Sequence, residues 1–581
     1  METLSQSRSQ SWLSWFYRGV LILGFLILVG RLFDLQIIRG AYFRSLAEGN
    51  RIRRVPITAA RGEILARGGE LLVGNTKVKK HVTFSPTEGY EKTLDINNAP
   101  DEEIIDEYVR DYKLGSSFAH VSGYLGLVNE DEVGKVNAGC LSHGPRKFDS
   151  LTGRTGLEQY YECTLMGHDG EELVEVDVLG NRVRTLGRKQ PISGREIRTT
   201  IDYGLQIHVA DIFSGKKDFA RGDIPEGLIK GAVVISDTKG EILALYSSPS
   251  YDPNIFVKKD KSQDIENLFT NTELPLYNRA TGGTYHPGSV FKPVVVLASL
   301  ETRTIDDDYT YEDTGSIVLN TDYGVYTYNN WYWTQYGGQE GVIGIKKALA
   351  RSTDTLFYKI GELTGIDNLV LWAEKFGFGV PTGIDLPGEV SGLLPNPEWK
   401  KLAKAERWFL GNTYHFSIGQ GDTALTPIQI NRAIAAIAAD GKICKPHLVG
   451  GVECSDLEID KDNLEIVREG MFQACSPEGT GFTFFDINGS NDEKFANKKV
   501  ACKTGTAETS TDKNPHAWFT FFTPFSTDEN TELIKPEIVV TVLVEEGGEG
   551  SKIAGPIARS IYNYWYNFPE SKPASVPVAT E

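Results

Sequence analysis

Positive charge is in short supply along this chain. Lys and Arg number 60 against 78 Asp and Glu, leaving a net charge of −18, and a surface of that sign repels phosphate backbones, which excludes nucleic acid as a partner. Sulfur is scarce too. There are 3 Met and 6 Cys, with no Cys-x-x-Cys pair and no Cys/His group at zinc-ligand spacing, so a metal site has no support. The cysteines (Cys140, Cys163, Cys444, Cys454, Cys475, Cys502) are an even count compatible with disulfides in an oxidising compartment, although the pairing cannot be read from sequence. Cys502 reads as a buried free thiol. Long apolar runs are confined to the N-terminus, where Gly19 to Gly30 gives twelve uncharged residues between Arg18 and Arg31.

What is present is a large folded protein. At 581 residues, with 40% hydrophobic and 24% charged residues, the chain has material for two or more domains.

The most informative segment is His286-Pro287-Gly288-Ser289-Val290-Phe291-Lys292, followed by Pro293. Residues at i and i+3 share one face of a helix, so the Lys292 amine can serve the Ser289 hydroxyl as a base. Pro293 has no N–H and belongs in a first helical turn, which starts the helix close to Ser289 and points the positive end of its dipole at a developing anion. Ser-x-x-Lys alone also arises by chance. A second segment, Ser352-Thr353-Asp354, fits a helix N-cap when read by itself. A third, Cys502-Lys503-Thr504-Gly505-Thr506, follows the strand-like Lys499-Val500-Ala501. Alternation there puts Lys503 and Gly505 on one face, with no side chain at Gly505 to block a ligand, although a plain exposed edge reads the same way.

In this order the three segments form the signature of the penicilloyl-serine transferases, and the chain resembles a class B penicillin-binding protein over nearly its whole length. Supporting matches are Asn50 to Pro56, Arg61-Gly62-Glu63-Ile64, Gly153-Arg154-Thr155-Gly156-Leu157-Glu158, Asn278-Arg279-Ala280, Gly383 to Glu389 and Ser417-Ile418-Gly419-Gln420-Gly421. Departures are Ala66-Arg67-Gly68-Gly69 where the family has an Asp-Arg-Asn-Gly turn, Cys502 where Gly is common, and Asn412 where Asp is common. The middle motif ends in Asp354 rather than Asn, a variant associated with the elongation branch of the family.

The resemblance implies an α+β architecture, the penicillin-binding transpeptidase fold, in which helices flank an antiparallel sheet behind an N-terminal pedestal and one transmembrane helix. It implies a D,D-transpeptidase that cross-links peptidoglycan stem peptides, is trapped by β-lactams and needs no cofactor. Ser289, Lys292, Ser352 and Lys503 are the expected catalytic residues, and Asp354, Thr504, Gly505 and Thr506 the expected substrate-binding ones. Backbone N–H groups of Ser289 and Thr506 would form the oxyanion hole. Two alternatives share these motifs: a serine β-lactamase or D,D-carboxypeptidase, against which the pedestal and anchor argue, and an inactive scaffold, against which intact Ser289, Lys292 and Lys503 argue.

A bilayer needs about 20 apolar residues, and a span of Tyr17 to Ile38 reaches that length if Arg18 snorkels and Arg31 pairs with Asp34. No clear Ala-x-Ala-like site follows, which favours an anchor over a cleaved signal. Arg31, Arg39, Arg44, Arg51, Arg53 and Arg54 outnumber Arg8 and Arg18, a bias that by itself would put the C-terminal side inside. The resemblance reverses that, because peptidoglycan lies outside the membrane. The expected organisation is a cytoplasmic tail over 1–16, an anchor over 17–38, a pedestal over 40–195, a transpeptidase domain over 196–568 and a disordered tail over 569–581. The location is the bacterial plasma membrane, with the catalytic domain outside the cytoplasm. Expected partners are stem peptides, β-lactams, the bilayer, a membrane glycan polymerase and other elongation-complex proteins.

Among local elements, Gly231–Ser236 and Glu241–Tyr246 read as a hairpin around Asp237-Thr238-Lys239-Gly240, and Pro536–Val544 as a strand sharing a sheet with Lys-Thr-Gly. Leu425 to Ala439 reads as a helix with Pro427 in its first turn. Acidic stretches at Asp101-Glu102-Glu103 and Asp106-Glu107 read as solvated surface, and the sequon Asn488-Gly489-Ser490 as a bare turn.

Overall fold

The computed structural model describes residues 11–85, 89–93, 99–100, 103–136, 140, 143–146, 150–177, 179, 181–215, 227–258, 261–509, 513–526 and 535–569. The N-terminal residues 1–10 and the tail expected to be disordered, apart from Pro569, lie outside the described residues. The chain forms two compact units. One comprises Met1–Arg61, Asn75–Val109 and Met166–Gly194, and the other Gly62–Gly74, Arg110–Leu165 and Arg195–Glu581.

The smaller unit opens with helix Ser11–Phe33, which runs through a π-helical turn, Asp34–Ile38, into helix Gly40–Arg51. Trp12–Ile38 is long and apolar enough to cross a membrane. Arg31 pairs with Asp34 at 2.8 Å, as the spacing requires. Beyond it, Ile52–Ile57, Gly170–Val176 and Arg182–Lys189 make an antiparallel sheet. The buried apolar core here is small, with Val55, Val82, Ile105, Val174 and Val176 at its centre. Part of the interior is therefore charged: Asp106 is exposed, as the solvated reading requires, but that reading is corrected for Glu107. Strand Ile104–Tyr112 alternates, so Glu107 shares the inward face of Ile105. Glu107 is buried, paired with both Lys80 and Lys92, and accepts from Thr58 Oγ1 at 3.1 Å. Burial alone would raise its pKa, but the two ammonium groups outweigh burial and hold the carboxyl below its ordinary value.

The larger unit is built on a five-stranded antiparallel sheet in the order Ile242–Ser248, Gly231–Ser236, Ile538–Val544, His516–Phe525, Lys499–Ala507. The expected hairpin forms. Asp237 Oδ1 accepts from the N–H groups of Lys239 and Glu241, both at 2.8 Å, and Gly240 closes the turn at φ +87°. Ile538–Val544 lies in the same sheet as the Lys-Thr-Gly strand, with His516–Phe525 between them. Helices cover both faces, so Gly231–Ser236 and Ile538–Val544 are buried at every residue and rich in Val and Ile. Alternation sends Ala501, Ala507, Trp518 and Phe522 into one core beside Val290 and Val294, and Val500, Cys502, Phe519 and Phe521 into the other beside Ile553 and Ile557.

Helix Pro427–Ala438 has Thr426 as its N-cap, with Gln429 completing a capping box. The segments 62–74 and 110–165 contribute Ile64, Leu72, Val121 and Leu157 to a third core with Ala232, Val234 and Leu245. A fully buried ion pair, Arg110 to Glu158 at 2.6 Å, lies in this region. The glycines of the Gly153–Glu158 motif are required there: a Cβ on Gly153 would meet Glu158 O at 2.0 Å, and Gly156 has φ +60°. Asn488 is not a bare turn. It is buried, and its amide pairs with both the N–H (3.0 Å) and the carbonyl (2.7 Å) of Val500, closing part of the sheet edge.

All six cysteines are paired, as Cys140–Cys163, Cys444–Cys454 and Cys475–Cys502. The free-thiol reading of Cys502 is thereby corrected. Its side chain points away from Lys503, into the core, and there it meets Cys475 at the end of helix Lys461–Ala474, with Cα atoms 5.7 Å apart.

Candidate active site

Ser289 sits on a 3-10 turn, Gly288–Phe291, that leads directly into helix Lys292–Glu301 with Pro293 in its first turn. Two glycines make this turn possible. Gly288 has φ +55°, and a Cβ there would stand 3.0 Å from Thr506 O; a Cβ on Gly419 would stand 2.4 Å from Gly288 O. Phe291 is fixed between Phe378 and Phe416, with ring centroids 5.6 and 5.4 Å away.

One helical turn after Ser289, Lys292 is fully buried. Its Nζ donates to Asp354 Oδ1 at 2.6 Å, Ser352 O at 2.8 Å and Ser352 Oγ at 3.1 Å, and lies 4.8 Å from the Phe357 ring centroid. Ser352 separates helices Ile345–Arg351 and Asp354–Thr364 and is held at φ 59°, ψ 35°. That left-handed conformation costs a non-glycine residue about 1 kcal/mol or more. It turns both the Ser352 carbonyl and its hydroxyl onto one amine.

Lys503 is also fully buried, on the face of the sheet edge strand that bears Ala501 and Ala507, and it donates to Thr504 O at 3.0 Å. Gly505 follows it on that face, with a role different from the one expected. A Cβ there would lie 3.1 Å from Val290 Cγ1 and 3.2 Å from Pro287 O, so the missing side chain admits the turn that carries Ser289. Thr504 Oγ1 donates to Thr480 Oγ1 at 2.9 Å, and Thr506 Oγ1 accepts from Gly550 N at 3.3 Å. Thr480 was not anticipated. Its signal was Gly479-Thr480-Gly481: a Cβ on Gly481 would meet both sulfurs of the Cys475–Cys502 bridge within 2.8 Å, and that bridge holds the segment against the strand.

The electrostatics follow from counting charges. Two buried lysines face one carboxylate, Asp354. Burial pushes the Lys292 amine down from its ordinary value, and Asp354 partly restores it. Burial pushes Lys503 much further down, reinforced by the charge of Lys292. Of the two amines, Lys292 is the one in contact with the carboxylate.

A hydroxyl at a helix start, a buried amine one turn on, and a second amine on an adjoining strand describe a serine acyl-transfer site. Comparison with known families agrees. The penicillin binding protein transpeptidase domain matches residues 231–563, and the penicillin-binding protein dimerisation domain matches residues 95–199. The chain belongs to the class B penicillin-binding proteins. It is 31% identical to the peptidoglycan D,D-transpeptidase MrdA of Haemophilus influenzae, covering 96% of this chain and 93% of the relative. Among solved structures it is similar to Pseudomonas aeruginosa PBP2 in complex with WCK 5153, with TM-score 0.68, 29% identity, and 90% of this chain and 100% of that one covered. It is likewise similar to Helicobacter pylori PBP2 in its complex with MreC, with TM-score 0.71, 25% identity, and 89% and 99% covered.

Proposed function

We propose that this protein is a peptidoglycan D,D-transpeptidase of the PBP2/MrdA type in which Ser289 is the acylated nucleophile. The observation that carries the reading is the meeting of two distant segments at one buried amine, with Lys292 bonded to Ser352 and Asp354 one helical turn from Ser289, and the influence of its charge on Lys503 of a third segment. Lys292, once neutral, takes the Ser289 proton as the oxygen attacks the penultimate carbonyl of a stem peptide. Backbone N–H groups of Ser289 and Thr506 stabilise the oxyanion. The departing D-alanine amine takes up a proton through Ser352 and Lys503, leaving an acyl-enzyme. An amine of a neighbouring stem peptide then attacks, and its proton returns by the same route.

Two lysines sharing one carboxylate titrate together. At rest the shared proton sits on Lys292, beside Asp354. A substrate carboxylate received by Thr504 and Thr506 brings a second negative charge toward Lys503, which draws the proton there and frees Lys292 as base. Asp354 orients the lysine, and Gly505 lets the strand close on the serine turn. Residues 40–195 act as the pedestal and 196–568 as the transpeptidase domain. The span 17–38 anchors the chain in the plasma membrane, the tail 1–16 is cytoplasmic, and the catalytic domain lies outside the cytoplasm. Partners are a membrane glycan polymerase and elongation-complex proteins, a reading supported by the Helicobacter pylori relative's complex with MreC.

The test is labelling with a fluorescent penicillin. A stable adduct is expected, absent from Ser289→Ala. Rapid release of the label would make the protein a β-lactamase, and no label at all would make it a scaffold.

A further inference from the structure

Asp354 is itself held by a device that the reaction scheme does not use. Asn330 is the N-cap residue of helix Trp331–Tyr336 and fully buried, yet it makes no side-chain cap bond to that helix, although asparagine at this position ordinarily accepts from its own first turn. Its Oδ1 instead accepts from Asp354 N at 3.1 Å, the first N–H of helix Asp354–Thr364. In return, Asp354 Oδ2 accepts from Trp331 N at 3.1 Å, the first N–H of the helix that Asn330 begins. Each side chain thus satisfies the other helix's leading donor. The exchange engages Oδ2 and leaves Oδ1 to Lys292, at 2.6 Å.

The Asn330 amide has only one workable orientation. Its Nδ2 donates at 3.2 Å to Asp313 Oδ2, an acceptor, while Asp354 N is purely a donor. Asp313 is buried and locked by Gly315 N (3.0 Å), Glu340 N (2.9 Å) and Thr355 Oγ1 (2.6 Å). Trp331 is pinned further by its Nε1, which donates to Arg351 O at 2.8 Å.

We propose that Asn330, backed by Asp313, is a positioning residue for acylation: it fixes the Asp354 carboxylate on the Lys292 amine and so sets the pH at which Lys292 becomes available as a base. This rests on the catalytic roles given above. The charged and titratable groups facing Lys292 are Asp354 and Lys503, and Tyr358 also faces Asp354. The Arg351–Glu340 pair (2.8 Å) lies on the Asp313 side of the network, with the guanidinium over the Trp331 ring.

The test is the rate of acylation by a fluorescent penicillin as a function of pH, in the full chain. A base must be neutral, so the rate rises as pH passes upward through the titration of Lys292. A loosened Asp354 holds the lysine's proton less firmly, so Asn330→Ala should move this acid limb to lower pH by about half a unit or more while reducing the plateau about tenfold. Asp354→Asn should move the limb the same way and further, and adding Asn330→Ala to it should produce no additional displacement. If Asn330→Ala does not fold, Asn330→Ser, which leaves a polar group in the pocket, carries the same test. A lowered plateau with an unmoved limb would reduce Asn330 to a structural residue and overturn the proposal while leaving the active site intact. Continued labelling of Ser289→Ala would instead remove the catalytic reading beneath it.

Discussion

Each compact unit sets one carboxylate against two lysines, and the two triads differ in water and in contact. In the smaller unit Glu107 touches both Lys80 and Lys92, whose side chains keep 18% and 14% of their surface exposed. Every charge there has a partner and some hydration. In the larger unit Lys292 and Lys503 are fully buried, and only Lys292 touches Asp354. The first arrangement suits stability, with charges that stay where they are. The second leaves one of two buried amines without a carboxylate in contact, an arrangement in which the protonation of the two neighbours is coupled.

The sharpest way to break this contrast is to remove the base. Lys292→Ala should lower the acylation rate by about a thousandfold or more, measured with fluorescent penicillin, while the corresponding Lys92→Ala in the other triad leaves that rate unchanged. Next in size, Glu107→Ala strands two lysines in a small core and should cost about 3 kcal/mol of stability, read by denaturant unfolding, without altering the acylation rate of the folded protein.

The Cys475–Cys502 bridge spans 27 residues of chain. The double substitution Cys475→Ala with Cys502→Ala should lose about 2–3 kcal/mol and also slow acylation, because Thr480 is then less firmly held against Thr504. Smallest is Lys503→Met. Replacing a buried amine that bonds a carbonyl rather than a carboxylate with an apolar side chain should stabilise the fold by about 1 kcal/mol while impairing acylation. The sign of its pH dependence follows from linkage: the folded-state pKa of Lys503 is depressed, so below 10.5 the unfolded chain binds the extra proton and the native protein is penalised. The variant's advantage in thermal unfolding should therefore widen as pH falls.

Much of the site could be read locally. Ser289, Lys292 and the helix start at Pro293 lie within five residues, and their geometry follows from helical period and proline chemistry. The hairpin at Asp237–Gly240 and the helix capped by Thr426 were legible for the same reason. What escaped depends on pairings across long separations. Nothing near Cys502 announces Cys475, and nothing near Asn330 announces Asp354, 24 residues on, because each partner is set by how helices pack. Glu107 is intermediate. Its alternation with Ile105 was present in the strand, but the acidic neighbours Asp101, Glu102, Glu103 and Asp106 masked it as surface. The Gly505 reading was right about the need for glycine and wrong about what fills the space, since a turn from elsewhere in the chain occupies it.

The most direct test is peptide mapping by mass spectrometry after the full chain has reacted with benzylpenicillin. The account requires the mass of one penicilloyl group on the peptide that contains Ser289, and none in Lys292→Ala over the same short reaction time. An adduct on any other residue, or an undiminished adduct without Lys292, would contradict it.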